Sequence, residues 1–179
     1  MRRVFLLFAL SASVAFAQTA PPPGPAAVRE SAAIDWKAYE AALKTAQPRA
    51  GRTRSGGIGD AVKETQLPVL LATHEDVRAA PDFQTQGTSY VAHYKPDEVM
   101  DITVLGSASR LVADQAQRPA AQAVAADTFE ILEDVTDLSF TRFGANYTIR
   151  ASCKNADDAR CKQPAYLSAF KNSLVPVRR

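Results

Sequence analysis

The stretch that most constrains how this chain can fold is residues 137–174, which combine two β-type runs, a turn, two cysteines and an amphipathic segment. Residues 138–143 are rich in aromatic and β-branched side chains, and residues 147–153 alternate apolar and polar side chains strictly. Such alternation is typical of a strand with one buried and one solvated face. Residues 144–146, Gly-Ala-Asn, form a connection of hairpin length in which Gly and Asn tolerate positive φ. The stretch therefore predicts an antiparallel hairpin.

The two cysteines of the chain lie at the end of this hairpin. Cys153 ends the second run on its inward face, and Cys161 follows after seven polar or small residues. We interpret the pair as a structural disulfide, because a redox-active pair is usually closer in sequence, as in Cys-x-x-Cys. Pro164 is suited to the first turn of a helix. The apolar stripe of that predicted helix consists of Tyr166, Leu167, Phe170 and Leu174.

The first 17 residues have the three parts of a secretory signal peptide: arginines, an apolar run, and small residues that predict cleavage after Ala17. The apolar run is shorter than the about 20 residues of a permanent anchor. We therefore expect an exported bacterial protein in the periplasm or the medium, without a transmembrane anchor. Arg2 and Arg3 also overlap the twin-arginine pattern. Export through the Sec route is preferred because the polar region is short and a disulfide forms on the oxidising side.

The charge of the chain depends on this segment. The whole sequence has 21 Lys and Arg against 19 Asp and Glu, and removing Arg2 and Arg3 leaves 19 of each. A formally neutral mature chain provides no charge argument for binding nucleic acid or a membrane surface. After the signal peptide, residues 18–29 predict a Pro-rich flexible linker, and residues 30–179 a single domain.

The remaining patterns predict the other elements of that domain. Residues 31–46 have helical periodicity and end at Gln47-Pro48, and residues 88–105 alternate as a second hairpin. Residues 67–72 and 128–133 predict further strands, whereas residues 73–86 are polar and turn-prone and residues 113–126 predict a mobile connection. The predicted fold class is α+β, with an antiparallel sheet of about five or six strands built from two hairpins. The two predicted helices, 31–46 and 164–174, would cover one face of the sheet.

Two groups of arginines are candidates for binding an anion or a partner. Arg49, Arg52 and Arg54 lie among glycines in the predicted loop 48–60, where forked donors and converging backbone N–H groups could hold an anion. The loop lacks the spacing of a phosphate-binding P-loop, so we expect it to be mainly solvated. Arg142 and Arg150 lie on facing strands of the C-terminal hairpin, on or near its wet face. There they would either bind an anionic partner or keep the face soluble.

The residues that could perform catalysis are few. The two histidines, His74 and His93, lie in different predicted elements, and His93 alternates away from Tyr90 and Tyr94. A zinc site formed by both histidines and both cysteines lacks the usual ligand spacing. The chain has no Gly-x-Ser-x-Gly elbow, and acidic pairs such as those at 157–158 and 133–134 are typical of solvated loops. We therefore predict no catalytic residue, no metal and no cofactor.

These observations favour a small exported, non-catalytic envelope protein that acts as a binding or accessory module. Two alternatives remain open: a periplasmic hydrolase acting on envelope material, and a secreted inhibitor that presents the disulfide-bounded loop 154–160 to a hydrolase. The expected partner is an envelope protein or a cell-wall component rather than nucleic acid.

Overall fold

The computed structural model describes residues 28–50, 58–112, 127–132, 135–155 and 157–178. These residues form one α+β domain, which confirms the predicted fold class. The elements in chain order are β1 (Val28–Ser31), α1 (Trp36–Ala50), α2 (Gly59–Glu64), β2 (Leu70–Ala72), β3 (Asp82–Thr85), β4 (Ser89–Tyr94), β5 (Met100–Ser107), β6 (Ser109–Val112), β7 (Thr128–Leu132), β8 (Val135–Arg142), β9 (Ala145–Cys153), α3 (Ala159–Lys162), α4 (Pro164–Asn172) and β10 (Leu174–Pro176).

The centre of the domain is an antiparallel sheet of six strands in the order β3-β4-β5-β9-β8-β7. The two predicted hairpins, β4–β5 and β8–β9, meet through the pairing of β5 with β9, and β3 and β7 form the edges. One face of this sheet, which we call the inner face, is buried because its strands alternate as predicted. Its central side chains are Tyr90, Ala92, Tyr94, Ile102, Val104, Tyr147, Ile149, Ala151 and Cys153.

A second layer covers the inner face. It consists of α2, the antiparallel pair β2–β10, α3 and α4, while α1 packs against β10. In α4, Leu167 and Phe170 are completely buried, and the ring of Phe170 lies 5.6 Å from that of Tyr94 in an edge-on contact. The predicted apolar stripe is therefore confirmed, although its last member, Leu174, lies beyond the helix as the first residue of β10.

The short strand β2 is bonded to the sheet below it by tyrosine side chains. One edge of β2 pairs with β10. Tyrosine hydroxyls that rise from the inner face bond to backbone groups of β2 and of the residues before it, so a buried segment outside the main sheet keeps hydrogen-bond partners. The contacting pairs are Tyr90–Leu70, Tyr94–Ala72 and Tyr147–Pro68.

The turn of the C-terminal hairpin lies one residue earlier than predicted. Arg142 pairs with Ala145, so the connection consists of Phe143 and Gly144 alone, with φ angles of 53° and 77°. Two positive φ angles are the requirement of the two-residue hairpin turn that follows the twist of its strands. The predicted turn over 144–146 was wrong in its position, because the ring of Phe143 packs edge-on against Tyr39 at 5.4 Å and holds that residue in the turn.

The first helix also differs from its prediction. Asp35 precedes it, and its side chain accepts a hydrogen bond from the backbone N–H of Ala38 at 2.9 Å, as a helix N-cap does. The helix continues to Ala50 and includes Pro48, so the predicted end at residue 46 was wrong. Pro48 lies in the last turn of the helix, where a missing backbone N–H costs few helical hydrogen bonds.

The described residues contain strands beyond those predicted. The edge strand β3 lies within residues 73–86, which the sequence indicated to be turn-prone. The pair β1–β6 joins residues 28–31 to residues 109–112, so the last two residues of the predicted linker belong to a strand. The mobile connection predicted for 113–126 and most of the predicted linker and signal peptide lie outside the described residues.

Candidate functional site

The second face of the six-stranded sheet, which we call the open face, carries mainly polar and small side chains. The described helices and β2–β10 contact the inner face or one another. The strand register places one outward residue of each strand in a single row across the open face. In sheet order that row is Asp82, His93, Thr103, Arg150, Asp137 and Glu130.

His93 is the one histidine in this row. It is exposed on β4, opposite in direction to Tyr90 and Tyr94, which confirms the alternation predicted for this strand. Its Nδ1 lies 2.9 Å from Oγ1 of Thr103, its neighbour across the β4–β5 pair. A hydroxyl can donate or accept, so this bond orients the imidazole ring on the sheet whichever ring nitrogen carries the proton.

A groove of about 570 Å³ lies over this part of the open face. Outward residues of β3, β4 and β5 line one side of it, namely Asp82, His93, Asp101 and Thr103. Residues 77–80 of the β2–β3 loop also line it. A second pocket of about 590 Å³ shares Lys95 and Asp101 with the first, so the two form neighbouring depressions. We call the first of them the His93 groove.

The His93 groove contains two positive and two negative side chains. Arg78 and Lys95 carry the positive charges, and Asp82 and Asp101 the negative charges. All four side chains are exposed, and none of them forms an ion pair with a residue in the described part of the chain.

The turn beside the second pocket is held by an arginine from α3. Arg160 donates from Nη1 to Oδ2 of Asp97 and from Nη2 to Oδ2 of Asp158, at 2.6 Å in both cases. These hydrogen bonds lower the pKa of both carboxyl groups. Asp158 also accepts from the backbone N–H of Arg160 and caps α3. The β4–β5 turn is thereby fixed to the end of the predicted disulfide loop.

The disulfide itself is confirmed. Cys153 and Cys161 are bonded with an S–S distance of 2.06 Å, and both residues are buried. Oγ1 of Thr136, on β8, donates to the carbonyl of Cys161. The disulfide therefore joins the end of β9 to α3 at the inner face. Within the described ranges, no group of three or more His, Cys, Asp or Glu residues is arranged to hold a metal ion.

The second histidine lies in a different environment. His74 packs against the rings of Tyr166 and Phe170, at centroid distances of 5.4 and 5.5 Å, and its Nδ1 accepts from the backbone N–H of Asp76 at 3.3 Å. The hydroxyl of Tyr166 donates to Oδ2 of Asp76 at 2.9 Å, and burial raises the pKa of this tyrosine. The structure does not bring His74 and His93 into one site.

The structure also separates the two arginines of the C-terminal hairpin. Arg150 lies on the open face and donates two hydrogen bonds to Asp137, at 2.8 and 2.7 Å. Arg142 does not lie on that face: it shares the side of Phe140, donates to the carbonyl of Leu174 at 2.9 Å, and burial lowers its pKa. Its predicted place on the wet face was wrong, because alternation along β8 turns every second residue inward.

The other predicted arginine group is only partly described. Arg49 lies in the last turn of α1, whereas Arg52 and Arg54 lie outside the described residues. Binding of an anion or a partner by Arg49, Arg52, Arg54, Arg142 and Arg150 stays a prediction.

The sequence analysis did not predict the His93 groove, because its loop residues and its edge strand β3 lie in the segment 73–86, which was interpreted as turns. The alternation of Phe83 and Thr85 with outward Asp82 and Gln84 was the available signal.

No protein-family model, curated protein or solved structure matches this chain. Among the described helices, none has the length and apolarity needed to cross a membrane. The fold and the groove together define the class of protein as a disulfide-bonded α+β domain with one sheet face covered and the other carrying a charged groove.

Proposed function

We propose that this protein is a small exported binding module that acts without catalysis, through the open face of its sheet. The observation that carries the proposal is the His93 groove, a depression of about 570 Å³ with four charged side chains that have no described ion-pair partner. Concave sites that combine apolar walls with a few polar groups are the usual places for ligands. The partner is expected in the cell envelope.

Binding is preferred to hydrolysis because of the hydrogen bonds of His93. A hydrolytic site of the Ser-His-Asp type needs a nucleophile, a base and a third group that orients the base. Thr103 and His93 are in hydrogen-bond contact, but in the described part of the chain no carboxylate bonds to His93. The pair is therefore interpreted as part of a binding surface.

Two features support export. Residues 1–17 have the composition of a signal peptide, and the disulfide Cys153–Cys161 belongs to a class of bond that persists in oxidising compartments. A protein folded in such a compartment meets envelope components with its open face. Binding there is the role that we propose for the module.

Site-specific photo-cross-linking in intact cells tests the proposal. A photoreactive residue replaces Gln84, which is exposed on β3 at the open face beside the groove. The matched control carries the same residue at Lys44, which is exposed on α1. We expect one recurrent cross-linked envelope component from position 84 and none from position 44.

The outcome is decided by the comparison of the two positions and by one further variant. His93→Gln removes a titratable side chain but keeps a polar group in the groove. Under the proposal, this variant changes the yield of cross-linked product from position 84. No enzymatic turnover is lost, because the proposed function includes no catalysis. Equal cross-linking from both positions, or hydrolysis of envelope material that disappears with His93→Gln, would contradict a non-catalytic binding face.

A further inference from the structure

We infer that the His93 groove binds a small zwitterionic molecule, an amino acid or a short peptide with a free ammonium and a free carboxylate. The inference rests on the proposed function and names the ligand class of the same site. It starts from the charges of the groove, which are two of each sign: Arg78 and Lys95 against Asp82 and Asp101.

The strand register places two of these charges, Asp82 and Lys95, in different rows of the sheet. Asp82 lies in the same cross-strand row as His93, whereas Lys95 lies two residues further along the same chain direction. Two residues along a strand span about 7 Å. Two residues of an extended peptide span about the same length. This rise separates the row of Asp82 and His93 from the row of Lys95, so the ammonium and the carboxylate of such a ligand would contact different rows.

The remaining groups of the groove suit the middle of such a ligand. His93 and Thr103 are polar and exposed toward the groove, where they can bond to a peptide amide. Val77, Ala79 and Ala80 add apolar groups to the lining. Since these groups are small, alanyl-alanine, with its methyl side chains, is a fitting probe.

The mixed charges also disfavour ligands of one sign. An inorganic anion can pair only with Arg78 and Lys95, and a simple cation only with Asp82 and Asp101. A site discriminates between ligands by how fully its charges are complemented. Only a ligand with both charges can use all four side chains.

Isothermal titration calorimetry of the purified protein with three related probes tests this assignment. The probes are alanyl-alanine, its N-acetyl derivative, which lacks the ammonium, and its C-terminal amide, which lacks the carboxylate. We expect alanyl-alanine to bind most tightly, and each blocked end to weaken binding about tenfold, as the loss of one charge-assisted hydrogen bond does.

Variants of the groove show which side chain recognises which end. Asp82→Asn should remove the preference for a free ammonium and keep the preference for a free carboxylate, whereas Lys95→Gln should do the reverse. The matched control is Glu130→Gln, an exposed carboxylate at the far end of the same row, which should leave all three affinities unchanged. All three residues are exposed, so the variants should fold.

The assignment is overturned if alanyl-alanine does not bind, if the three probes bind equally, or if the preferences survive in both groove variants. Its failure is distinguishable from that of the proposed function. Recurrent cross-linking from position 84 without binding of alanyl-alanine would keep the open face as the binding surface and reject the zwitterion. Absence of specific cross-linking and of binding would reject both.

Discussion

The hydroxyl of Tyr90 bonds to both backbone polar groups of Leu70: it accepts from the N–H and donates to the carbonyl, at 3.1 Å in each case. Tyr90 is 1% exposed and Leu70 is completely buried. One side chain of the central sheet thus provides hydrogen-bond partners for both backbone groups of a residue in the covering strand, as a neighbouring strand would. This contact joins the two layers by polar bonds as well as by apolar packing.

Removing that hydroxyl should destabilise the domain. Tyr90→Phe leaves the N–H and the carbonyl of Leu70 without this partner in a buried place, and we expect a loss of about 1–3 kcal/mol in the free energy of unfolding. Urea denaturation followed by circular dichroism measures it. Tyr147→Phe is the matched comparison, because the hydroxyl of Tyr147 forms one such bond, to the carbonyl of Pro68. A Tyr90→Phe variant as stable as the wild type would contradict this explanation.

The glycine beneath Tyr90 is expected to be essential for packing. Gly106 pairs with Tyr90 across β4 and β5, and a Cβ atom at Gly106 would lie 2.3 Å from Cε1 of the tyrosine ring. Because the hydroxyl end of the ring is bonded to Leu70, the ring cannot move aside freely. We expect Gly106→Ala to lower the free energy of unfolding by about 1–3 kcal/mol, as overpacking does.

Thermal unfolding of two alanine variants provides the control for that prediction. Gly59, in the first turn of α2, has no heavy atom within 4 Å of the position of an added Cβ. Gly59→Ala should leave the melting temperature unchanged or slightly raised, since alanine restricts the unfolded chain more than glycine does. Equal melting temperatures of the Gly106→Ala protein and the wild type would show that the ring is free to shift.

Stability should decline in alkaline solution because of the buried tyrosines. Burial raises the pKa of Tyr90, Tyr94 and Tyr147 above the ordinary value of 10.0. Above pH 10 the unfolded chain therefore releases protons that the folded protein retains, and the free energy of unfolding falls as pH rises. Below pH 10 these groups are neutral in both states and add no pH dependence.

Urea midpoints measured between pH 8 and about pH 11.5, together with phenolate absorbance, check the alkaline prediction. The folded protein should show little phenolate from these three residues until it unfolds. The Tyr90→Phe variant has one titrating group fewer, so its stability should fall less steeply with pH. Phenolate absorbance that rises fully before unfolding would mean that the tyrosines are accessible to solvent in the native state.

The disulfide should contribute to stability mainly through the unfolded chain. Cys153 and Cys161 are separated by 8 residues, and closing a ring of this size is worth about 2–3 kcal/mol in the loop-entropy model. Replacing both cysteines with serine should lower the free energy of unfolding by that amount. Treating the wild type with a reductant in denaturant should have the same effect, while the double variant should not respond. A response of the double variant would indicate another cause.

The two hairpins could be predicted from the sequence because alternation is a local signal. β4, β5, β8 and β9 each bury every second residue, and their inward residues are mainly apolar. The edge strand β3 has four residues and none of them is fully buried, so its pattern resembles that of a polar turn. The hairpin turn was misplaced because packing of Phe143 on Tyr39, a contact between distant residues, overrides the usual preference for Gly and Asn.

The site was harder to predict than the fold. The His93 groove joins residues of three strands and one loop, and no local pattern indicates that they meet. Alternation did place His93 on the solvated face, and this was confirmed. It could not show that Asp82 lies beside His93, because that pairing needs the unpredicted strand β3. In the same way, β2 pairs with β10 over a separation of about a hundred residues, which only tertiary packing determines.

The most direct test of the central claim, that the His93 groove on the open face is the binding site, is an amide chemical-shift map of the isotope-labelled protein. The probes would be alanine, alanyl-alanine, N-acetylglucosamine and inorganic phosphate, added separately, so that no single ligand class is assumed. We predict shifts confined to residues 77–82, to His93 and Lys95, and to Asp101 and Thr103. Shifts confined to α1 or α4, or no shifts with any probe, would contradict the claim.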